Sequence, residues 1–159
     1  MKRGHTVEIT LRPATADDAG WLWQLHVATL KEYVAQTWGW DEAVQRLRFD
    51  DSYDPPGTQI VEHDGQPIGC LRVQLQPDRL CLDNIRVAPE YQNQGVGTQL
   101  IRSLQARARE LGLPLELRVL RVNPARRLYE RLGFVVTQSD PVRHYMRWVP
   151  DSSAAEGEP

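Results

Sequence analysis

Between Leu80 and Leu120 the chain reads as strand, glycine-containing loop, amphipathic helix, strand. Leu80 to Val87 (LCLDNIRV) is a β-rich run, and Ala88 to Gly97 is polar and carries Gly95 and Gly97. From Thr98 to Leu111, Leu100, Leu104 and Leu111 recur on one side of a helix. Gly112 is placed to end that helix, Pro114 blocks its continuation, and Leu115 to Leu120 is a strand again. Two strands joined through a helix of this length run parallel, and such a crossover is right-handed almost without exception. Any sheet this chain builds must therefore accommodate one parallel unit.

The remaining elements surround that unit with hairpins. Val7 to Arg12 alternates as a first strand. Thr15 then reads as an N-cap with Asp18 three residues on, an Asp version of the capping box. Leu22, Leu25, Leu30 and Tyr33 predict a helix from Ala16 to Ala35. A short second helix is predicted from Asp41 to Phe49, with Trp40, Val44 and Leu47 on one face. Thr58 to His63 and Gln66 to Leu75 flank Asp64-Gly65, the dipeptide a type I′ turn requires. Pro77-Asp78 marks a further turn. Asn123 and Pro124 predict the cap and first residue of a short helix that runs to Leu132 and is stopped by Gly133. Phe134 to Thr137 and Tyr145 to Val149 close the pattern. The order β α α β β β α β α β β implies an α/β (α+β) fold, a mixed, mostly antiparallel sheet with helices on both faces. We expect a single domain over residues 1–149, and a disordered tail over 150–159, which is small, polar and acidic.

Bulk properties remove several function classes. The 159 residues carry a formal net charge of −2, so no global attraction to nucleic acid or anionic lipid is expected. No apolar run approaches the roughly 18–20 residues of a membrane span, and the basic start lacks the apolar stretch of a signal peptide. Two cysteines in apolar runs, Cys70 and Cys81, fit reduced thiols and a cytoplasmic location. His5, His26, His63 and His144 show no paired ligand spacing, so no metal is expected.

Chemistry concentrates in Asn84 to Gln99 (NIRVAPEYQNQGVGTQ). Glycines allow tight turns and close approach of a ligand to the main chain. Free N–H groups of the loop and first helical turn, with the helix dipole, form an anion site suited to a pyrophosphate. Two glycines before a helix are more often a plain loop. A Walker loop is excluded because no Lys-Ser/Thr follows the glycines, and the dinucleotide fingerprint is excluded because Leu100 stands at its third glycine.

The run Gln92-Asn93-Gln94-Gly95-Val96-Gly97 resembles the Q/R-x-x-G-x-G/A loop of the Gcn5-related N-acetyltransferase (GNAT) superfamily. Its lead-in, Ile85 to Tyr91, is similar as well. Val122 to Phe134 (VNPARRLYERLGF) resembles that family's second signature, in the right order and context; Arg126 departs from it, standing where a small apolar residue is frequent. The resemblance covers Val7 to Val149. It implies acetyl-coenzyme A as co-substrate and a primary amine on a small molecule or peptide as acceptor. By the same resemblance, Gln92, Asn93, Gln94, Gly95, Val96, Gly97 and Thr98 grip the pyrophosphate. The backbone of Ile85, Arg86 and Val87 pairs with the pantetheine arm where the sheet splays, Asn123 contacts that arm, and Tyr129 is the general acid beside the departing sulfur.

The reaction makes matching demands. A primary amine with pKa near 10 must lose a proton before it attacks a thioester, and the leaving thiolate needs a proton in return. Asp83, on the strand face shared by Ile85 and Val87, is the candidate base, acting through a water; a solvated strand aspartate reads equally well. The acceptor is expected near the loop Gln36 to Glu42, where Trp38 and Trp40 with two carboxylates suit a cationic amine; core packing is the plainer reading for at least one tryptophan. A non-catalytic acyl-coenzyme A-binding or regulatory module would use the same loop, and a homodimer through the carboxy-terminal strands fits the pattern.

Overall fold

The computed structural model describes residues 7–150. Of the expected tail, 150–159, all but Pro150 lies outside them. In chain order the elements are β1 (Thr10–Pro13), α1 (Ala19–Thr37), α2 (Glu42–Ser52), β2 (Thr58–His63), β3 (Gln66–Gln76), β4 (Arg79–Val87), α3 (Val96–Leu111), β5 (Leu115–Leu120), α4 (Arg126–Arg131), β6 (Val135–Ser139) and β7 (Arg143–Trp148). The seven strands form one sheet in the order β1-β2-β3-β4-β5-β7-β6. β4 and β5 pair in parallel at Leu80↔Leu115 and Cys81↔Glu116, as the crossover requires. β1 with β2, β2 with β3, β5 with β7, and β6 with β7 are antiparallel. The described residues group into two compact units, 7–72 with 84–97 and 73–83 with 98–150, and β3 and β4 each contribute residues to both.

Local chemistry explains most boundaries. Thr15 and Asp18 form the reciprocal capping box around a short 3₁₀ turn, Ala16–Asp18, that leads into α1. Arg12 clamps Asp18 through two hydrogen bonds of 2.9 Å and reaches Glu62 at 2.7 Å, tying the cap to β1 and β2. These bonds hold the Asp18 carboxyl near 2, below its ordinary 3.8. Asp64 and Gly65 both have positive φ, 53° and 76°, as a type I′ turn demands. α3 ends as the sequence predicts: Gly112 lies at φ 69°, Gly112 N–H donates to Arg109 O and Leu113 N–H to Ala108 O, a Schellman motif.

The first strand, expected over Val7 to Arg12, runs Thr10–Pro13, and three further expectations shift. α3 begins at Val96 rather than Thr98, because Val96 is only 1% exposed and its burial pulls the loop end into the helix. α4 begins at Arg126, two residues after Pro124. The intervening bonds, Arg126 to Asn123 and Arg127 to Pro124, span three residues and wind a tighter turn first. In α2 the face carrying Val44 and Leu47 is not buried, and Leu47 is 62% exposed. Asp41 caps the helix by accepting from Val44 N–H, and the ring that packs inward is instead Phe49, with Tyr53 just beyond, against Ala14, Leu22, Leu25, Ile60 and Cys70.

Candidate active site

In the first unit, the segment Ile85–Val87 is held against β3 at its carboxy-terminal end. Ala88 N–H donates to Ile68 O at 2.8 Å, and Gly69 lies so close to β4 that a Cβ there would collide with the Arg86 carbonyl oxygen. The Gln92 side chain donates to Val87 O at 2.9 Å, and Gln94 donates to Glu90 O at 2.9 Å. The glutamine that opens the motif thus ties the loop back to the end of β4. Asn93 and Gly95 take φ of 63° and 84°, curling the main chain before α3. Alternation of positive φ with helical residues turns successive N–H groups toward one point, and a first helical turn adds donors without intrahelical acceptors. Positive φ at Asn93 and Gly95 just before α3 is the backbone pattern from which such anion sites are built.

In the second unit, Tyr129 is 7% exposed on α4. A second Schellman motif fixes it: Gly133, at φ 97°, donates to Glu130 O, and Phe134 N–H donates to Tyr129 O. The Phe134 ring meets Tyr129 edge-on at 5.9 Å, the apolar contact that accompanies such a cap. Asn123 uses its Oδ1 to accept from Ala125 N–H at 2.9 Å, so it is a cap in its own right. Asp83 is exposed on β4, one residue from Asn84 and so directed to the alternate face of the strand.

The first unit also contains an open cavity of about 170 Å³ lined by residues of α1, α2, β2, β3 and β4. Its polar lining includes His26, Arg48, Asp54, Arg72, Asn84 and Arg86. Among these, the sequence offers Arg86 for its backbone and both Arg72 and Arg86 as strand arginines that are either solvated or substrate-facing; His26, Arg48, Asp54 and Asn84 carry no such reading. Trp38 and Trp40 are absent from the lining. Trp38 is 55% exposed. Trp40 stacks on Trp23 at 6.1 Å, donates to Glu42 at 2.8 Å and lies under Lys31, so its face and edge are occupied within the helical pair. His26 sits against Trp23, Trp40 and Phe49 at ring distances of 5.5–6.0 Å. Burial first, and the charge of Arg86 second, lower its pKa from 6.5 to about 4. Burial also raises the Cys70 thiol. Both cysteines are free thiols, and among the described residues no group of three His, Cys, Asp or Glu is placed to hold a metal ion. No described helix is long and apolar enough to cross a membrane.

Comparison with known proteins identifies the family and the fold. The family model described as acetyltransferase (GNAT) family matches residues 21–134, from the start of α1 through the loop and both signatures. The chain belongs to the GNAT acetyltransferase family. Among curated proteins it is 33% identical over 114 residues to an amino-acid acetyltransferase of Ralstonia nicotianae, covering 69% of this chain but 23% of that relative. The chain thus spans about a quarter of the length of that relative. A PaiA N-acetyltransferase from Thermoplasma acidophilum, solved in complex with coenzyme A, superposes with a TM-score of 0.73 at 18% identity, over 89% of this chain and 99% of the other. The ribosomal-protein-S18-alanine N-acetyltransferase of Escherichia coli gives 0.66 at 20% identity, over 90% and 94%. At these identities the structural likeness defines the fold.

Proposed function

We propose that this protein transfers the acetyl group of acetyl-coenzyme A to a primary amine by direct attack. The observation that carries the reading is the loop from Gln92 to Thr98, tied to the end of β4 by Gln92 and curled by positive φ at Asn93 and Gly95. A pyrophosphate placed there accepts from the loop and helix N–H groups, and the pantetheine arm runs along Ile85, Arg86 and Val87 as an added strand. Asn123 contacts the same arm. The deprotonated amine attacks the thioester carbon, with Val87 N–H stabilising the oxyanion. As the tetrahedral intermediate collapses, the C–S bond breaks and the thiolate takes the proton of Tyr129. The amine proton leaves through water to solvent, which returns a proton to the phenolate. Confinement of both substrates supplies a further large share of the rate.

Two measurements test the reading. Calorimetric titration with acetyl-coenzyme A should show micromolar or tighter binding, lost in Gly95→Glu. A Cβ at Gly95 meets nothing within 4 Å, so that variant pays only the left-handed backbone cost of about 1–2 kcal/mol and should fold. No binding by folded wild-type protein would end the proposal. Tyr129→Phe should lower kcat by about 10²–10⁴-fold with little change in acetyl-coenzyme A affinity. Full turnover there would remove Tyr129 from the mechanism. Tight binding with no turnover on any amine would instead favour the non-catalytic acyl-coenzyme A-binding module.

A further inference from the structure

The cavity of the first unit carries a charge pattern that says what enters it. Three guanidinium groups line it, from Arg48 on α2, Arg72 on β3 and Arg86 on β4, against one carboxylate, Asp54. Asp54 is held by Arg72 at 3.0 Å. Arg48 and Arg86 have no carboxylate partner among the described residues. The Nε of Arg86 and the Nε2 of His26 are buried without a hydrogen-bond partner. Burying a guanidinium donor without an acceptor is unfavourable, and a carboxylate is the group whose geometry matches its fork. The neutral imidazole of His26 adds no compensating negative charge. A polycationic acceptor would be repelled from such a lining, and the cavity volume of about 170 Å³ is smaller than the ~300–1,000 Å³ of drug-sized sites.

Resting on the acetyltransferase reading, we infer that the acceptor is a small primary amine carrying a carboxylate, an amino acid rather than a polyamine or protein lysine, and that Arg48 and Arg86 bind that carboxylate. Arg86 then serves twice. Its main chain belongs to the segment assigned to pantetheine and its side chain to the acceptor, so one strand position registers both substrates. Asn84, on the same face of β4, supplies a neutral hydrogen-bonding group beside it.

The test compares amines that differ only by the α-carboxylate: phenylalanine with phenethylamine, histidine with histamine, lysine with cadaverine. Thiol release is followed with acetyl-coenzyme A saturating and its binding confirmed by calorimetry. The expected kcat/KM favours each carboxylated member by at least about tenfold, the scale of one charge-assisted hydrogen bond. Arg48→Gln should collapse that preference by raising KM for the carboxylated member, and Arg48→Lys should restore part of it. Equal use of both members by the wild-type protein, a preference unchanged in Arg48→Gln, better transfer to peptide amino termini than to free amino acids, or bound acetyl-coenzyme A with transfer to no amine would each overturn the inference while leaving cofactor binding intact. Failure to bind acetyl-coenzyme A would instead remove the acetyltransferase reading on which it rests.

Discussion

His26 gives the fold a measurable sensitivity to mild acid. Its imidazole is packed among Trp23, Trp40 and Phe49, and burial together with Arg86 lowers its pKa from 6.5 to about 4 against the opposing hydrogen bond to Gln45. The unfolded chain therefore binds a proton more readily than the folded one. Stability from this preference is complete above about 6.5 and is lost as pH falls toward 4. Between about pH 7.5 and pH 5 the full shift is equivalent to about 2 kcal/mol, since each pKa unit is worth about 1.4 kcal/mol. The ring is only partly buried, and solvent screening reduces the expected loss to about 1 kcal/mol. The assay is urea unfolding of the wild-type protein and His26→Gln at both pH values and constant salt. Carboxylates that titrate over this range contribute to both proteins, so the difference of differences isolates His26. The wild-type protein should lose about 1 kcal/mol more than the variant. Parallel losses in the two proteins, or an imidazole resonance that titrates near 6.5 in the folded state, would refute the reasoning.

Other perturbations have equally definite outcomes. Gly69→Ala forces a Cβ against the Arg86 carbonyl; a backbone obstacle cannot rotate away, so thermal unfolding should show a loss of about 1–3 kcal/mol, accompanied by weaker acetyl-coenzyme A binding as β4 is displaced. An unchanged melting temperature would show that β3 and β4 separate freely there. Asp18→Asn should lower stability by about 1 kcal/mol at neutral pH. Because the Asp18 carboxyl is depressed from 3.8 to about 2, chiefly by Arg12, its contribution is present above about pH 4 and fades as pH falls toward 2, so the gap between wild type and variant should close over that interval. Trp38→Ala, at an exposed position outside the cavity, should leave kcat/KM for small amines within about twofold; a large loss would return the acceptor to the loop between α1 and α2.

The parts of the fold that were legible in the sequence are those decided within a few residues. The Thr15–Asp18 box, the Asp64-Gly65 turn and the stops at Gly112 and Gly133 each depend on local backbone geometry that one or two residue types satisfy. The glycine loop was legible for the same reason, and its resemblance to a family loop supplied the ligand. The buried face of α2 was not legible. A helix of 11 residues offers two plausible apolar stripes, and the one containing Phe49 wins only because Ile60 and Cys70 wait beneath it. The cavity was invisible for a stronger reason. Arg48, Arg72 and Arg86 come from three elements; the two strand arginines read as either solvated or substrate-facing, and nothing in the sequence joins them to Arg48. His26 gave no signal either, because a polar residue inside a helical repeat is normally assigned to the solvent side. Its burial follows from the ring stack built by Trp23, Trp40 and Phe49.

The two ends of the sheet bear on how this protein behaves in concentrated solution. An unpaired strand edge is a template on which another chain can add, and long, flat, apolar edges seed aggregates. β1 has four residues and closes on Pro13, which has no N–H to donate, beside the charged Arg12. β6 has five, and its pairing with β7 slips between Val136 and Gln138, which interrupts regular spacing on the strand most exposed to a visitor. Neither edge presents a long uninterrupted row of donors and acceptors. Among the described residues, the exposed Val135 thus sits on a short, interrupted edge, a poorer template for strand addition than a long flat one.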